Sequence, residues 1–321
     1  MTIPILKFIA RRLLLGVGTL FLASLIIFLV TQALPSDPAG LILGREATPE
    51  ALAALREQFG LNRPLFVQFF SWLGNLLTGD LGVSFSSQAN VSDFIVPRIG
   101  YSLFLLLVSG LASIPLALVI GSYAALKRDS RFDKGSSVTT LLLAAMPEFV
   151  VGTVLVILFA TSVVQWLPAV SYFEEGAPPW SDPLGLILPV ATLVVSVTPY
   201  VVRVMRAAMV EVLESDYVEM ARLKGMDERT VLWRHAAPNA IGPTFQVIAL
   251  NLAYLAGGVI VIERLFNYPG MGSALAESVV LRDLPVLQFL ALVIAGIYVL
   301  MNLLADIGTV LATPRLRTTL Q

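Results

Sequence analysis

The chain has no cysteine and a single histidine, His235, in 321 residues. The first absence removes disulfides, zinc–thiolate centres and thiol nucleophiles from consideration. The second leaves no multi-histidine metal site and argues against a Ser-His-Asp arrangement. His235, beside Arg234, reads as structural or interfacial. No GxxxxGK[ST] phosphate loop occurs, so the sequence offers no ATP site of its own. Charge is scarce as well. Only 13% of residues are Asp, Glu, Lys or Arg, and a net charge of −1 gives no reason to expect nucleic acid as a partner. No attached soluble domain, internal repeat or low-complexity tract is evident.

What the chain has is apolar length. Hydrophobic residues make up 57% of it, and its mean hydropathy is +0.83, which points to several membrane spans. A helix needs about 20 apolar residues to cross the hydrocarbon core. Six stretches qualify: Leu13 to Leu34, Tyr101 to Leu126, Ser136 to Ser162, Leu184 to about residue 204, Ile241 to Ile262, and Leu284 to Ala305, extending to Ala312. The first exceeds the apolar core of a signal peptide and reads as an uncleaved span. With the N-terminus inside, fifteen of the lysines and arginines fall in inner segments and six in outer ones. Half of those six lie within the long first loop, which weighs little in this rule. The expected fold is an all-α polytopic membrane protein with six spans and both termini cytoplasmic.

The chain divides into an N-terminal region, 1–98, and a five-span region, 99–312. Pro35 to Pro97 is a long outer segment. Thr48-Pro49-Glu50 starts a helix there and Gly60 stops it. Leu65 to Leu77, with Phe66, Phe69, Phe70 and Trp72, reads as an interfacial helix that Gly79-Asp80-Leu81-Gly82 ends in a turn.

Two acids lie inside spans, where a charge is costly and usually functional. Glu148 follows Pro147 about halfway along the third span. It is a candidate for lining a translocation pathway, the alternative being packing near a proline-broken helix. Asp306, late in the sixth span, is a candidate structural charge that reaches solvent or pairs with Arg315 or Arg317. Gly257-Gly258 is read as allowing close helix packing.

The inner segment 215–238 carries the remaining signal. Ser215 or Asp216 can cap a helix there, Val218, Ala221 and Arg222 share one side of it, Glu219 and Arg222 are spaced as an i, i+3 pair, and Gly225 ends it. Asp227 caps a second short helix bearing Val231, Leu232 and Trp233 before Pro238. On these features alone the segment either rests on the membrane surface or docks to another protein. Its length and two-helix form favour docking.

Glu219-Met220-Ala221 followed by Gly225 resembles the EAA---G signature of permease subunits in ABC importers. DYVEMARLKG and VLWRHAAPNAIGP resemble its peptide/nickel branch, which carries oligopeptides and dipeptides. Arg11-Arg12, LREQFGLNRPLFVQFFSWL, GDLGVS, MPEFVVG, FNYPGMG, RDLPVLQ, NLLADIG and PRLR extend the likeness in order over nearly the whole chain. Two positions depart from the pattern: Met220 takes the second place of the triplet, and Ala312-Thr313-Pro314-Arg315 stands where the branch commonly has Asp-Pro-Arg.

The resemblance implies a type I importer permease (MetI-like) fold in a bacterial or archaeal cytoplasmic membrane. It implies a homologous second permease, two ATPase subunits that bind ATP and Mg, and an extracytoplasmic substrate-binding protein. This chain would hold no cofactor and catalyse nothing. Contact with the ATPase would centre on Asp216, Tyr217, Glu219, Ala221, Lys224 and Gly225, with small Ala221 allowing close approach. Peptides are the first substrate class it implies; nickel complexes, glutathione-like compounds, opines and oligosaccharides are the others. An ion-gradient-driven transporter and a membrane enzyme stay open as other classes, and the latter would need a nucleophile–base pair that the sequence does not show.

Overall fold

The computed structural model describes residues 2–33, 38–44, 47–174 and 176–312, and regular structure among them is helical apart from one isolated bridge between Val83 and Asn90. Apolar runs within a membrane satisfy their backbone polar groups internally when they are helices. In chain order these are α1 (Thr2–Gln32), α2 (Pro38–Leu43), α3 (Pro49–Gln58), α4 (Leu65–Leu77), α5 (Val91–Leu126), α6 (Arg131–Ala145) and α7 (Glu148–Val156). Then follow α8 (Pro183–Leu213), α9 (Asp216–Leu223), α10 (Glu228–Thr230), α11 (Ala237–Leu265), α12 (Met271–Leu281) and α13 (Leu284–Ala312). A π-helical turn, Ile157–Thr161, extends α7, and another, Val231–Ala236, leads into α11.

Four helices, α1, α5, α8 and α13, are each long and apolar enough to cross a membrane; two bent pairs bring the number to six if each pair is one span. The expected third span is thus not one straight helix. α6 and α7 meet at 104° across Met146-Pro147. Pro147 has no N–H to continue the helix, and its ring holds the preceding Met146 extended at φ −87°, ψ 132°. The fifth span bends by 47° between Leu255 and Gly257. α5 and α8 run beyond the apolar stretches that announce them, and the boundary at 98/99 falls inside α5.

α8 is the centre of the bundle. Of its most apolar window 67% is buried, against 11% for α1. It packs on α5, α6, α7 and α11, while α1 lies at the edge against α13 and α4. On α5 the buried Ser113, Ala117, Gly121 and Ala124 recur at three- or four-residue spacing, which lets helices approach closely. A Cβ on Gly121 would come within 2.8 Å of the Val202 carbonyl and 2.9 Å of Met205 Cβ, so this crossing requires glycine. At one end, buried Asp133 of α6 takes a two-point contact from Arg206 of α8, at 2.5 and 2.7 Å. This bidentate geometry fixes the start of α6 on the central helix.

The N-terminal region follows its sequence signals. The Thr48 hydroxyl accepts from the Ala51 N–H at 3.2 Å, and Gly60 turns the chain at φ +65° after α3. α4 lays Phe69 edge-on against Phe21 and Phe28 of α1. Gln68 accepts from Gln32 at 3.1 Å. Further on, the carboxylate of buried Asp283 collects the Ser84 hydroxyl, the Phe85 and Ser86 N–H groups at 3.0 and 3.2 Å, and the Ser86 hydroxyl at 2.7 Å. One acid thus ties the turn before α5 to the start of α13.

Candidate coupling segment and pathway acids

α9 is short, and its two ends are built differently. Ser215 takes the N-cap position, but its hydroxyl donates back to the Val212 carbonyl instead of capping. At the other end Gly225 adopts φ +78°, its N–H reaches the Arg222 carbonyl at 2.9 Å, and the Met226 N–H reaches Ala221 at 3.3 Å. This paired closure of a helix by a left-handed residue is the Schellman arrangement, which favours glycine.

One side of α9 is internal. Val218, Ala221 and Val231 are buried together, with Val212 and Leu213 packed against them. The small side chain of Ala221 lets α9 lie closely on its own chain. Arg222 pairs with Glu228 at 2.8 Å, not with Glu219, and so links α9 to α10. On the opposite side Tyr217, Met220 and Leu223 recur every third residue and are exposed, 74% in the case of Leu223. Asp216, Glu219, Lys224 and Gly225 are exposed beside them. A depression of ≈ 400 Å³ is lined by Asp216, Tyr217, Met220, Ala221, Lys224 and Met226, with His235 at its wall. The Nε2 of His235 is buried and has no hydrogen-bond partner among the described residues. An apolar strip rimmed by charges has the composition of a protein-contact patch.

Asp227 caps α10, its Oδ2 accepting from the Thr230 N–H at 3.1 Å. Hydrogen bonds from the Thr230 side chain and then its backbone hold this carboxyl below the usual aspartate range. Since the folded value lies below the unfolded one, the cap contributes fully at neutral pH and is lost as pH falls through the folded value. Hydrogen exchange is the check: protection of the Thr230 amide, corrected for intrinsic rates, should fall on acidification in the wild type. In Asp227→Ala it should already be low at neutral pH.

Glu148 opens α7 just after the break. Its carboxylate lies against Gly258 on α11, where an added Cβ would come within 2.6 Å of Oε1. Gly258 thus makes room for an acid, whereas a Cβ on Gly257 would meet nothing within 4 Å. The expected packing role therefore holds for Gly258, which lets α7 approach α11, and Gly257 has no such neighbour among the described residues. Asp306 bonds to Arg12 of α1 at 2.8 Å. The two residues it was expected to pair with, Arg315 and Arg317, lie outside the described residues, as does the departure at Thr313-Pro314. With side chains 43% and 24% exposed, the Arg12–Asp306 pair contributes at most about 1 kcal/mol after solvent screening.

The sequence pattern of binding-protein-dependent transport system inner membrane components matches residues 117–318, and that family's N-terminal pattern matches residues 5–106. The chain belongs to this family. The permease is 35% identical over 312 residues to a protein of Sinorhizobium fredii named as a peptide ABC transporter permease, covering 97% of this chain and 99% of that one. A protein of Brucella abortus named as a peptide transport system permease is 37% identical over 321 residues, covering 99% of both. The glutathione transport system permease protein GsiC of Escherichia coli K12 is 35% identical over 312 residues, covering 97% of the permease and 99% of GsiC.

One acid of the permease escaped the sequence reading. Glu263, fully buried near the end of α11, accepts from the Ser102 hydroxyl of α5 and from the N–H groups of Gly272 and Ser273 at 2.7 and 3.1 Å. Ser102 in turn accepts from the Met271 N–H at 2.7 Å. The first turn of α12 is thus capped from two other helices. Tyr268 completes the lock, its hydroxyl donating to the Tyr101 carbonyl at 3.0 Å. The expected fifth span stopped one residue short of Glu263. The neighbouring FNYPGMG motif, with two glycines at the carboxylate, was the available signal.

Proposed function

We propose that this permease is one of two transmembrane subunits of an importer that moves peptides or comparably small solutes inward. Partner ATPase subunits bind and hydrolyse ATP, and α9 and α10 are the part of this chain that meets them. The observation that carries the reading is the exposed Tyr217–Met220–Leu223 strip with Asp216, Glu219 and Lys224 at its rim, held by the turn at Gly225. The excess of lysine and arginine on that side supports cytoplasmic termini and a cytoplasmic α9. The names of the relatives support peptides or glutathione as the substrate class. Nucleotide-driven closure of the ATPases acts on α8 and α11 through the short segment between them. A soluble binding protein delivers the solute on the opposite face and does most of the selecting.

Reconstitution tests this. The permease, its second permease and the ATPases, extracted in mild detergent, should co-purify and import peptide only with ATP and binding protein present. Uptake that persists without the ATPases would mean an ion-driven transporter instead. Failure of the chain to associate with an ATPase would overturn the reading.

A further inference from the structure

We propose that Glu148, with Tyr200 and Tyr254, forms a cation subsite in the pathway that takes the terminal ammonium of the transported peptide. The inference rests on the reading of the chain as a peptide importer and names a point of contact within it.

Three spans bring the groups together at the break after α6. Glu148 comes from α7. Tyr254, on α11, reaches its carboxylate with the hydroxyl group, and Tyr200 on α8 stands near Tyr254. The Tyr200 hydroxyl donates to the Ala144 carbonyl at 3.1 Å, in the last turn of α6. The carbonyl end of a helix carries partial negative charge, and discontinuous spans in transporters use such ends to hold cations. Carboxylate, carbonyl end and two aromatic rings all favour a positive ligand.

The carboxylate is also unfinished. Its Oε1 is buried with no hydrogen-bond partner among the described residues, and no lysine or arginine acts on it. An acid inside a span is costly to keep, and an opposite charge that arrives is a reason to retain it. Gly258 leaves the space that the carboxylate itself occupies, since any side chain there would collide with it. Both tyrosines stay open, 39% and 56% exposed.

The chemistry selects an organic ammonium over a bare metal ion. Calcium and magnesium take six or more oxygen ligands, whereas one carboxylate with two tyrosine rings suits an ammonium carried on a body that can lie over the rings. Every unmodified peptide carries that group whatever its side chains. A subsite for it therefore serves many sequences, and it must hold each one weakly enough to let go.

Saturation-transfer NMR on the detergent-solubilised complex, without binding protein, tests the subsite with trialanine as probe. Trialanine should give a transfer signal on the wild type that falls about tenfold in Glu148→Gln and returns in Glu148→Asp. N-acetyl-trialanine should give no difference between the three. No trialanine signal on the wild type, an unchanged signal in Glu148→Gln, or an equal loss for the acetylated peptide would each overturn the proposal. Displacement of trialanine by sodium chloride at equal concentration would overturn it in favour of an inorganic cation. If the wild-type complex binds trialanine as expected yet imports no peptide with ATP and binding protein, the subsite stands and the proposed function falls.

Discussion

Replacing Gly225 with valine should stop the liganded binding protein from stimulating ATP hydrolysis, while the binding protein's own affinity for ligand is unchanged. The reason is backbone geometry. Gly225 sits at φ +78°, and a Cβ there would meet nothing within 4 Å, so the substitution creates no clash within the chain. What it removes is the left-handed turn that lets Gly225 and Met226 close α9. A side chain held in that conformation costs roughly 1–2 kcal/mol, and a β-branched one is worst placed to adopt it. The chain would relieve this strain by opening the turn, which tilts the Tyr217–Met220–Leu223 strip away from the ATPase proposed to meet it. Stimulated turnover is expected to fall roughly tenfold or more. Asparagine tolerates the left-handed region, so Gly225→Asn should keep most of the activity. Wild-type turnover in the valine variant would show that the turn is not needed. Equal failure of both variants would place the fault in a side-chain clash with the ATPase.

The second large effect is on stability. Glu263→Ala leaves the N–H groups of buried Gly272 and part-buried Ser273 without their acceptor, while the Ser102 hydroxyl keeps the Arg98 carbonyl at 3.3 Å. Each such donor left unsatisfied costs about 1–3 kcal/mol, so a total of about 2 kcal/mol or more is expected from the two. Since domains are marginally stable, that loss should lower the melting temperature of the detergent-solubilised complex by several degrees and reduce its yield. Gly272→Ala probes the same place by another route. Its Cβ would press on Ile260 and come within 2.9 Å of the Glu263 carboxylate, while Gly296→Ala meets nothing within 4 Å and should be silent. An unchanged melting temperature in both Glu263→Ala and Gly272→Ala would remove Glu263 from its role as the organiser of α12.

Local rules recovered much of the architecture. α4 spans Leu65 to Leu77 as its aromatic pattern predicts, and Thr48, Gly225 and Asp227 occupy the cap positions expected of them. Each of these depends on a residue and its nearest few neighbours, and that information is contiguous in the chain. Periodicity went wrong where a face had two partners to choose between. It grouped Val218, Ala221 and Arg222 correctly, yet it could not show that Ala221 packs on Val231 or that Arg222 reaches Glu228. Asp283 was harder still, because its partners Ser84 to Ser86 lie 197 to 199 residues away.

The sequence by itself determined the environment and the kind of protein. Long uncharged runs separate into lipid whatever their neighbours, and an ordered set of motifs identifies the permease family. Tertiary structure alone decided what the acids within the helix bundle do. Pro147 announces a break, but the 104° between α6 and α7 comes from where α7 finds room on α8 and α11. That turn places Glu148 against Gly258 beside Tyr254, much as the end of α11 places Glu263 under the first turn of α12. Hydropathy is a property of a window of about 20 residues, whereas the partner of a buried charge is set by which helices pack together.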